Sequence, residues 1–243
     1  TRLVGSEMCI RDRPTAGKLT VQMLIKDLLA DLQYLYDTLQ KKGDEFDHVI
    51  KMGRTHLQDA VPIRLGQEFK AFSQPVKRDL KRISSAVEEL TYVNMGATAV
   101  GTGINADVEY VKNVVRILSE VTGFNFKQSP DLVDGTRNLD SFVWLSSALK
   151  TCAVNLSKTA NDIRLMASGP KAGLAELGLP QQQPGSSIMP GKVNPVIPEV
   201  LNQVCFQIFG NDITITKAAE AGQLELNVFE PVLFFNLFQS IEI

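Results

Sequence analysis

Between Pro184 and Pro195 the chain reads Pro-Gly-Ser-Ser-Ile-Met-Pro-Gly-Lys-Val-Asn-Pro. Two glycines and three prolines keep this stretch out of helix and strand. The same residues carry the hydroxyls of Ser186 and Ser187, the ammonium of Lys192 and the amide of Asn194. A serine hydroxyl is a very poor base at neutral pH, so it moves a proton only where its anion is stabilised. Backbone N–H groups of a glycine-rich loop and a neighbouring lysine can do that. Lys192 and Asn194 supply a cation and an amide donor where the chain turns into the next helix, whose N-terminus adds its positive end. Loops between rigid elements are where catalytic groups concentrate. By composition alone the stretch is equally an ordinary connector, and Lys192 by itself a solvated lysine.

Two further segments carry polar groups in an unusual order. Lys51–Pro62 reads as a loop approaching a helix, punctuated by Gly53 and Pro62, and holds Thr55 and His56. His56 is one of two histidines, and a lone histidine is more often structural than catalytic. The other, His48, sits in no motif and reads as a surface residue. Gly96–Asn105 places three glycines close together, at 96, 101 and 103. No strand precedes them and their spacing fits no nucleotide fingerprint, so they read as a structural turn.

In its order of residues, Gly185–Pro195 resembles the signature loop of the fumarase/aspartase superfamily, lyases that cleave C–N or C–O bonds and release fumarate. Gly53–His56 resembles that family's Gly-Arg-Thr-His segment, and Gly101–Asn105 its Gly-Thr-Gly-x-Asn turn. The resemblance covers Pro14 to Ile243. It implies anti-elimination through an aci-carboxylate intermediate, with Ser186 taking the Cβ proton and Lys192 and Asn194 stabilising the charge. It also implies that Thr55 and His56 contact the substrate carboxylate and that Glu199 pairs with His56, fixing its tautomer. Preorganised donors of this kind are usually the largest catalytic contribution, about 3–4 kcal/mol for a single one.

The wording of Ala218–Pro231 resembles the aspartase branch, since fumarases show Gly-Asn-Phe in place of Gly222-Gln223-Leu224 and Arg in place of Glu230. The implied reaction is reversible deamination of L-aspartate to fumarate and ammonium. Hydration of fumarate to L-malate is the alternative within the family, and a non-catalytic helical scaffold is the alternative outside catalysis. No organic cofactor and no catalytic metal is implied. The implied partners are the small-molecule substrate, L-aspartate or fumarate, and further copies of the chain in a homotetramer whose active sites are shared by three subunits.

Composition sets the remaining bounds. With hydrophobic residues at 44% and charged residues at 21%, 243 residues suffice for a sizeable core in a soluble globular protein. A net charge of -2 gives no electrostatic footprint for nucleic acid or an anionic membrane. Cys9, Cys152 and Cys205 have neither metal-ligand spacing nor an even count, which favours a reducing cytoplasm.

The elements that must position these groups read as long helices. Val21, Leu24, Leu28, Leu32, Leu35 and Leu39 recur at helical steps, and Gly43 stands where that helix should stop. A second pattern runs from Leu65 to Val93, about 45 Å of helix, with Pro75 expected to bend it. A third covers Leu139–Ile163 and a fourth follows Pro198; Asp212–Thr216 alternates like a strand but too briefly to overturn its helical neighbours. The expected fold is all-α, a long-helix bundle. Residues 1–13 show no periodicity and resemble a translated sequencing adapter more than a native tail, so 14–243 is taken as the central helical-bundle lyase domain. Its beginning within a motif and its end inside an apolar helical pattern read as a fragment without N- and C-terminal domains, inactive on its own.

Overall fold

The computed structural model describes residues 12–243. The expected all-α, long-helix architecture is found. In chain order the helices are α1 (Arg13–Glu45), α2 (Leu65–Glu89), α3 (Val108–Thr122), the short α4 (Leu132–Arg137), α5 (Asp140–Met166), α6 (Val196–Glu220) and α7 (Glu230–Glu242). The strands are β1 (Ile50–Thr55) and β2 (Gln58–Arg64), which pair antiparallel, and the two-residue β3 (Tyr92–Val93) and β4 (Lys127–Gln128), which pair parallel. Residues 1–11, most of the stretch read as non-native, and Cys9 with them, lie outside the described residues.

The chain divides into two compact units. One holds the chain up to Leu29, Lys81–Leu149 and Gly210–Ile243. Its core takes the inward faces of the helices, with Val21, Ile83, Leu90, Phe142, Leu145, Ile215, Leu233 and Leu237 all removed from solvent. Helix α3, which the periodicity passes over, is fixed by local chemistry: Asp107 accepts from the backbone of Glu109 and Tyr110 at its start, and Gly123 closes it in the left-handed conformation. The glycine-rich stretch is a turn as expected, with Gly96, Gly101 and Gly103 at positive φ. At Gly101 a Cβ would stand 2.3 Å from the Cα of Val133, so only glycine fits.

The other unit holds Ala30–Leu80 and Lys150–Phe209. Leu32, Leu39, Leu65, Phe69, Val76, Ala153, Ala160 and the free thiols Cys152 and Cys205 form its core. Two of its polar groups are buried in matched pairs: Asn155 donates to the Asp79 carboxylate at 2.8 Å, and Asn202 to Ser157 Oγ at 2.9 Å.

Three expectations about elements are corrected. Helix α1 runs through Gly43 to Glu45. The glycine is there for close approach, since a Cβ on it would meet Lys70 Cγ at 2.5 Å and one on Gly66 would meet the Gly43 carbonyl at 2.2 Å. Helix α2 ends at Glu89, and Tyr92–Val93 pairs with β4. The segment Lys51–Pro62, read as a loop, is the β1–β2 hairpin. Asp212–Thr216 lies inside α6, as its helical surroundings dictate. Among the described residues no helix is long and apolar enough to cross a membrane, and no cluster of three or more His, Cys, Asp or Glu is placed to hold a metal.

Glu230 opens α7 wholly buried, and among the described residues neither carboxylate oxygen has a hydrogen-bond partner. Burial pushes its carboxyl up from 4.5 to about 7, the charge of Arg13 opposing. In that window the folded state keeps a proton the unfolded chain has released, so stability falls as pH rises from about 4.5 through about 7. Glu230→Gln removes the cost of burying the charge. Thermal unfolding should show it about 3 kcal/mol more stable than the parent at pH 8 and equal to it near pH 4.

Candidate functional site

The Gly-Arg-Thr-His segment is the end of β1 and the turn that follows it. Register runs from Ile50 opposite Arg64 to Thr55 opposite Gln58, so His56 and Leu57 alone make the turn. Both have positive φ, 53° and 61°. A two-residue hairpin turn of this hand prefers Asn-Gly, and side chains bearing a Cβ occupy it at a cost of roughly 1–2 kcal/mol each. Thr55 and His56 are both exposed. Pro62 is tolerated because a two-stranded sheet consists only of edges.

Register slips between Met52 and Arg54, at Gly53, where a Cβ would stand 2.9 Å from the Val61 carbonyl oxygen. The extra residue lies in β2, where Ala60 and Val61 stand opposite Gly53 alone. Lys51 and Arg54 of β1 both reach one carboxylate: Lys51 Nζ is 2.8 Å from Glu176 Oε2, and Arg54 Nη1 donates to Glu176 Oε1. Lys51 also donates to both oxygens of Glu68, at 2.9 Å each, and Arg54 Nε lies 3.3 Å from Asp59.

These groups border a cavity of about 320 Å³, lined on its apolar side by Leu57, Phe72, Leu165 and Leu174. Burial pushes the Glu176 carboxyl up, but hydrogen bonds from Lys51 and Arg54 outweigh it and hold the group below its ordinary value. Burial likewise opposes the Lys51 ammonium, and the hydrogen bonds it donates to Glu176 and Glu68 hold it above its ordinary value. Glu176 is placed by the chain leaving α5. Its N–H and that of Leu177 both donate to the Met166 carbonyl, at 2.8 and 3.2 Å, and the Ala175 N–H donates to the Ser168 carbonyl at 2.8 Å. Gly173 makes this fold-back possible, because a Cβ there would lie 2.4 Å from the Ser168 carbonyl.

The signature loop has no regular structure and closes on itself. Ser186 Oγ accepts from the Met189 N–H at 3.2 Å, and the Lys192 N–H donates to the Met189 carbonyl at 3.2 Å. Gly191 turns at φ 83°, and a Cβ on Gly185 would stand 3.2 Å from the Lys192 carbonyl. Ser186, Lys192 and Asn194 thus share one short loop, with Lys192 exposed and Ser186 and Asn194 half-buried. Asn194 stands two residues before α6 begins.

Glu199, in the first turn of α6, has Arg164 as its charged neighbour at 3.9 Å. Among the described residues no hydrogen bond or ion pair joins Glu199 to His56, or the loop's Ser186, Lys192 and Asn194 to Thr55 and His56. The loop thus holds three of the six candidate residues and the hairpin tip two, while the charged neighbour of Glu199 is Arg164. His48 is exposed, as expected. Glu68 and Glu176 escaped sequence reading altogether. Recognising the hairpin register was the one available route to the Lys51–Glu68 pair, and nothing local points from Arg54 to a residue 122 positions away.

A family profile described as Lyase matches residues 12–210. The aspartate ammonia-lyase of Bacillus subtilis (strain 168) is 59% identical over 230 residues, which cover 95% of this chain and 48% of that protein. That of Escherichia coli (strain K12) is 50% identical over 230 residues, with the same two shares. Among solved structures, the fumarate lyase:delta crystallin from Brucella melitensis bound to cobalt superposes with a TM-score of 0.92 at 49% identity, covering 94% of this chain and 50% of that one. The recombinant class II fumarase from Schistosoma mansoni gives 0.88 at 37%, covering 94% and 51%. The chain belongs to this lyase family, within the fumarase/aspartase superfamily. It spans about half the length of the curated relatives it matches.

The fold-back that carries Glu176 gives a direct check on this geometry. Gly173→Ala forces a Cβ into backbone and should destabilise the chain by about 2 kcal/mol or more, whereas Gly178→Ala, where a Cβ meets nothing within 4 Å, should stay within about 0.5 kcal/mol. Denaturant unfolding of the two variants side by side measures both.

Proposed function

We propose that this chain is the central, site-bearing part of an ammonia-lyase that reversibly deaminates L-aspartate to fumarate and ammonium. The observation that carries the reading is the closed loop that holds Ser186, Lys192 and Asn194 together in a chain half or more identical to aspartate ammonia-lyases. In the proposed reaction Ser186, as its alkoxide, takes the Cβ proton. The electron pair left behind moves into the neighbouring carboxylate and builds a doubly charged aci-carboxylate. Lys192 supplies a full positive charge to it and Asn194 an amide donor, next to the N-terminus of α6. Collapse of the aci-carboxylate forms the double bond, breaks the Cα–N bond and releases ammonia, which becomes ammonium with the proton that Ser186 took from Cβ and gives up as its alkoxide re-forms. Thr55 and His56, at the exposed hairpin tip, hold substrate carboxylate.

Among the described residues of one chain no hydrogen bond or ion pair joins the hairpin tip to the loop, and the charged neighbour of Glu199 is Arg164. The proposal therefore includes assembly: in a cytoplasmic homotetramer each site draws its hairpin, its loop and its remaining contacts from three subunits, and Glu199 meets His56 there. Fumarate hydration is the second reading, favoured by the likeness to the class II fumarase.

The complete protein carrying this sequence, incubated with L-aspartate and with L-malate, should form fumarate from L-aspartate. Ser186→Ala should lower kcat by about 10²–10⁴-fold with KM changed little, the loss expected of a positioned base. Fumarate from L-malate alone would transfer the reading to a hydratase, and fumarate from neither would leave the non-catalytic scaffold.

A further inference from the structure

Resting on the lyase reading, we infer that Glu176 is a positioning residue for the reaction: its carboxylate ties Lys51 and Arg54 together and thereby holds the hairpin tip that presents Thr55 and His56. The tip needs such an anchor. His56 and Leu57 occupy a turn that glycine and asparagine prefer, so the flanking strands must supply what the turn residues do not. The hairpin itself has little to hold it, for the side chains of β2 are exposed apart from Ile63. Polar anchorage from its own flank therefore decides where the tip stands.

That anchorage converges on one group. Glu176 meets Lys51 through one oxygen and Arg54 through the other, and Arg54 is the residue immediately before Thr55. Glu68 meets Lys51 alone, four residues from Thr55 and on the far side of the bulge. The side chains involved are largely withdrawn from water, with Lys51 11%, Glu176 14% and Arg54 24% exposed, so their attraction is screened less than that of a surface pair. Removing the Glu176 charge leaves two half-buried cations without the carboxylate they share, which loosens the strand end from its seat.

The test compares Glu176→Gln with Glu68→Gln in the complete protein. Glu176→Gln should raise KM for L-aspartate about tenfold or more with kcat changed less than threefold, and Glu68→Gln should leave both within about threefold. In a Thr55→Ala background the KM effect of Glu176→Gln should shrink, because one of the two groups it positions is gone; a merely structural loss would persist there in full. Hydrogen exchange gives an arm that needs no turnover: amides of residues 54–58 should exchange about tenfold faster in Glu176→Gln than in the parent. If the parent forms no fumarate from L-aspartate, the lyase reading has failed and exchange alone judges the anchor. Unchanged KM and unchanged exchange in Glu176→Gln would overturn the inference. Should that variant not fold, Arg54→Lys takes its place, keeping the charge but losing the guanidinium that reaches both Glu176 and Asp59.

Discussion

The hairpin depends on one carboxylate that meets two cations. Glu176 reaches Lys51 through one oxygen and Arg54 through the other, on either side of Gly53, which faces the extra residue of β2. A side chain at position 53 would collide with the facing strand. The chain leaving α5 must fold back tightly enough to deliver Glu176, which in turn requires glycine at 173. A glycine far from the hairpin in sequence thus serves its ionic contact. The consequence is a short, exposed hairpin with an unfavourable turn that is nonetheless fixed at its base. A tip that must present Thr55 and His56 toward solvent cannot be secured by hydrophobic burial, so charge pairing at the flank takes that role.

The loop at 185–195 solves a different problem. It needs donors and a cation near a serine without the regular hydrogen bonding that would occupy its backbone. Proline and glycine keep it irregular, while the Ser186–Met189–Lys192 contacts keep it closed. Half-burial of Ser186 and Asn194 beside an exposed Lys192 leaves the lysine able to meet something outside the chain. That division suits a site completed by groups that one copy of the chain does not bring together.

The long helices were legible because burying one face of a helix forces apolar residues to recur at three and four, and α1, α2, α5 and α6 all follow that rule. Their limits were less legible. Gly43 looks like a stop signal, but the glycine serves the close approach of Gly66, a contact no local pattern reveals. The hairpin was missed because most of its residues are exposed, which removes the alternation that identifies a half-buried strand, and because Gly53 and Pro62 carry the marks of a loop. The signature loop was readable through the order of its residues. The Glu176 cluster was not, since ion pairs between distant residues leave no trace in the spacing of either partner.

The lyase reading requires the loop and the hairpin tip to act on the same ligand. A crystal structure of the complete protein with fumarate bound tests it most directly. The account predicts one fumarate with Lys192 and Asn194 at one end, Thr55 and His56 within hydrogen-bond reach of a carboxylate, and Ser186 Oγ beside a vinyl carbon. A fumarate held by the loop with the hairpin tip remote from it, or bound away from both, would contradict the account.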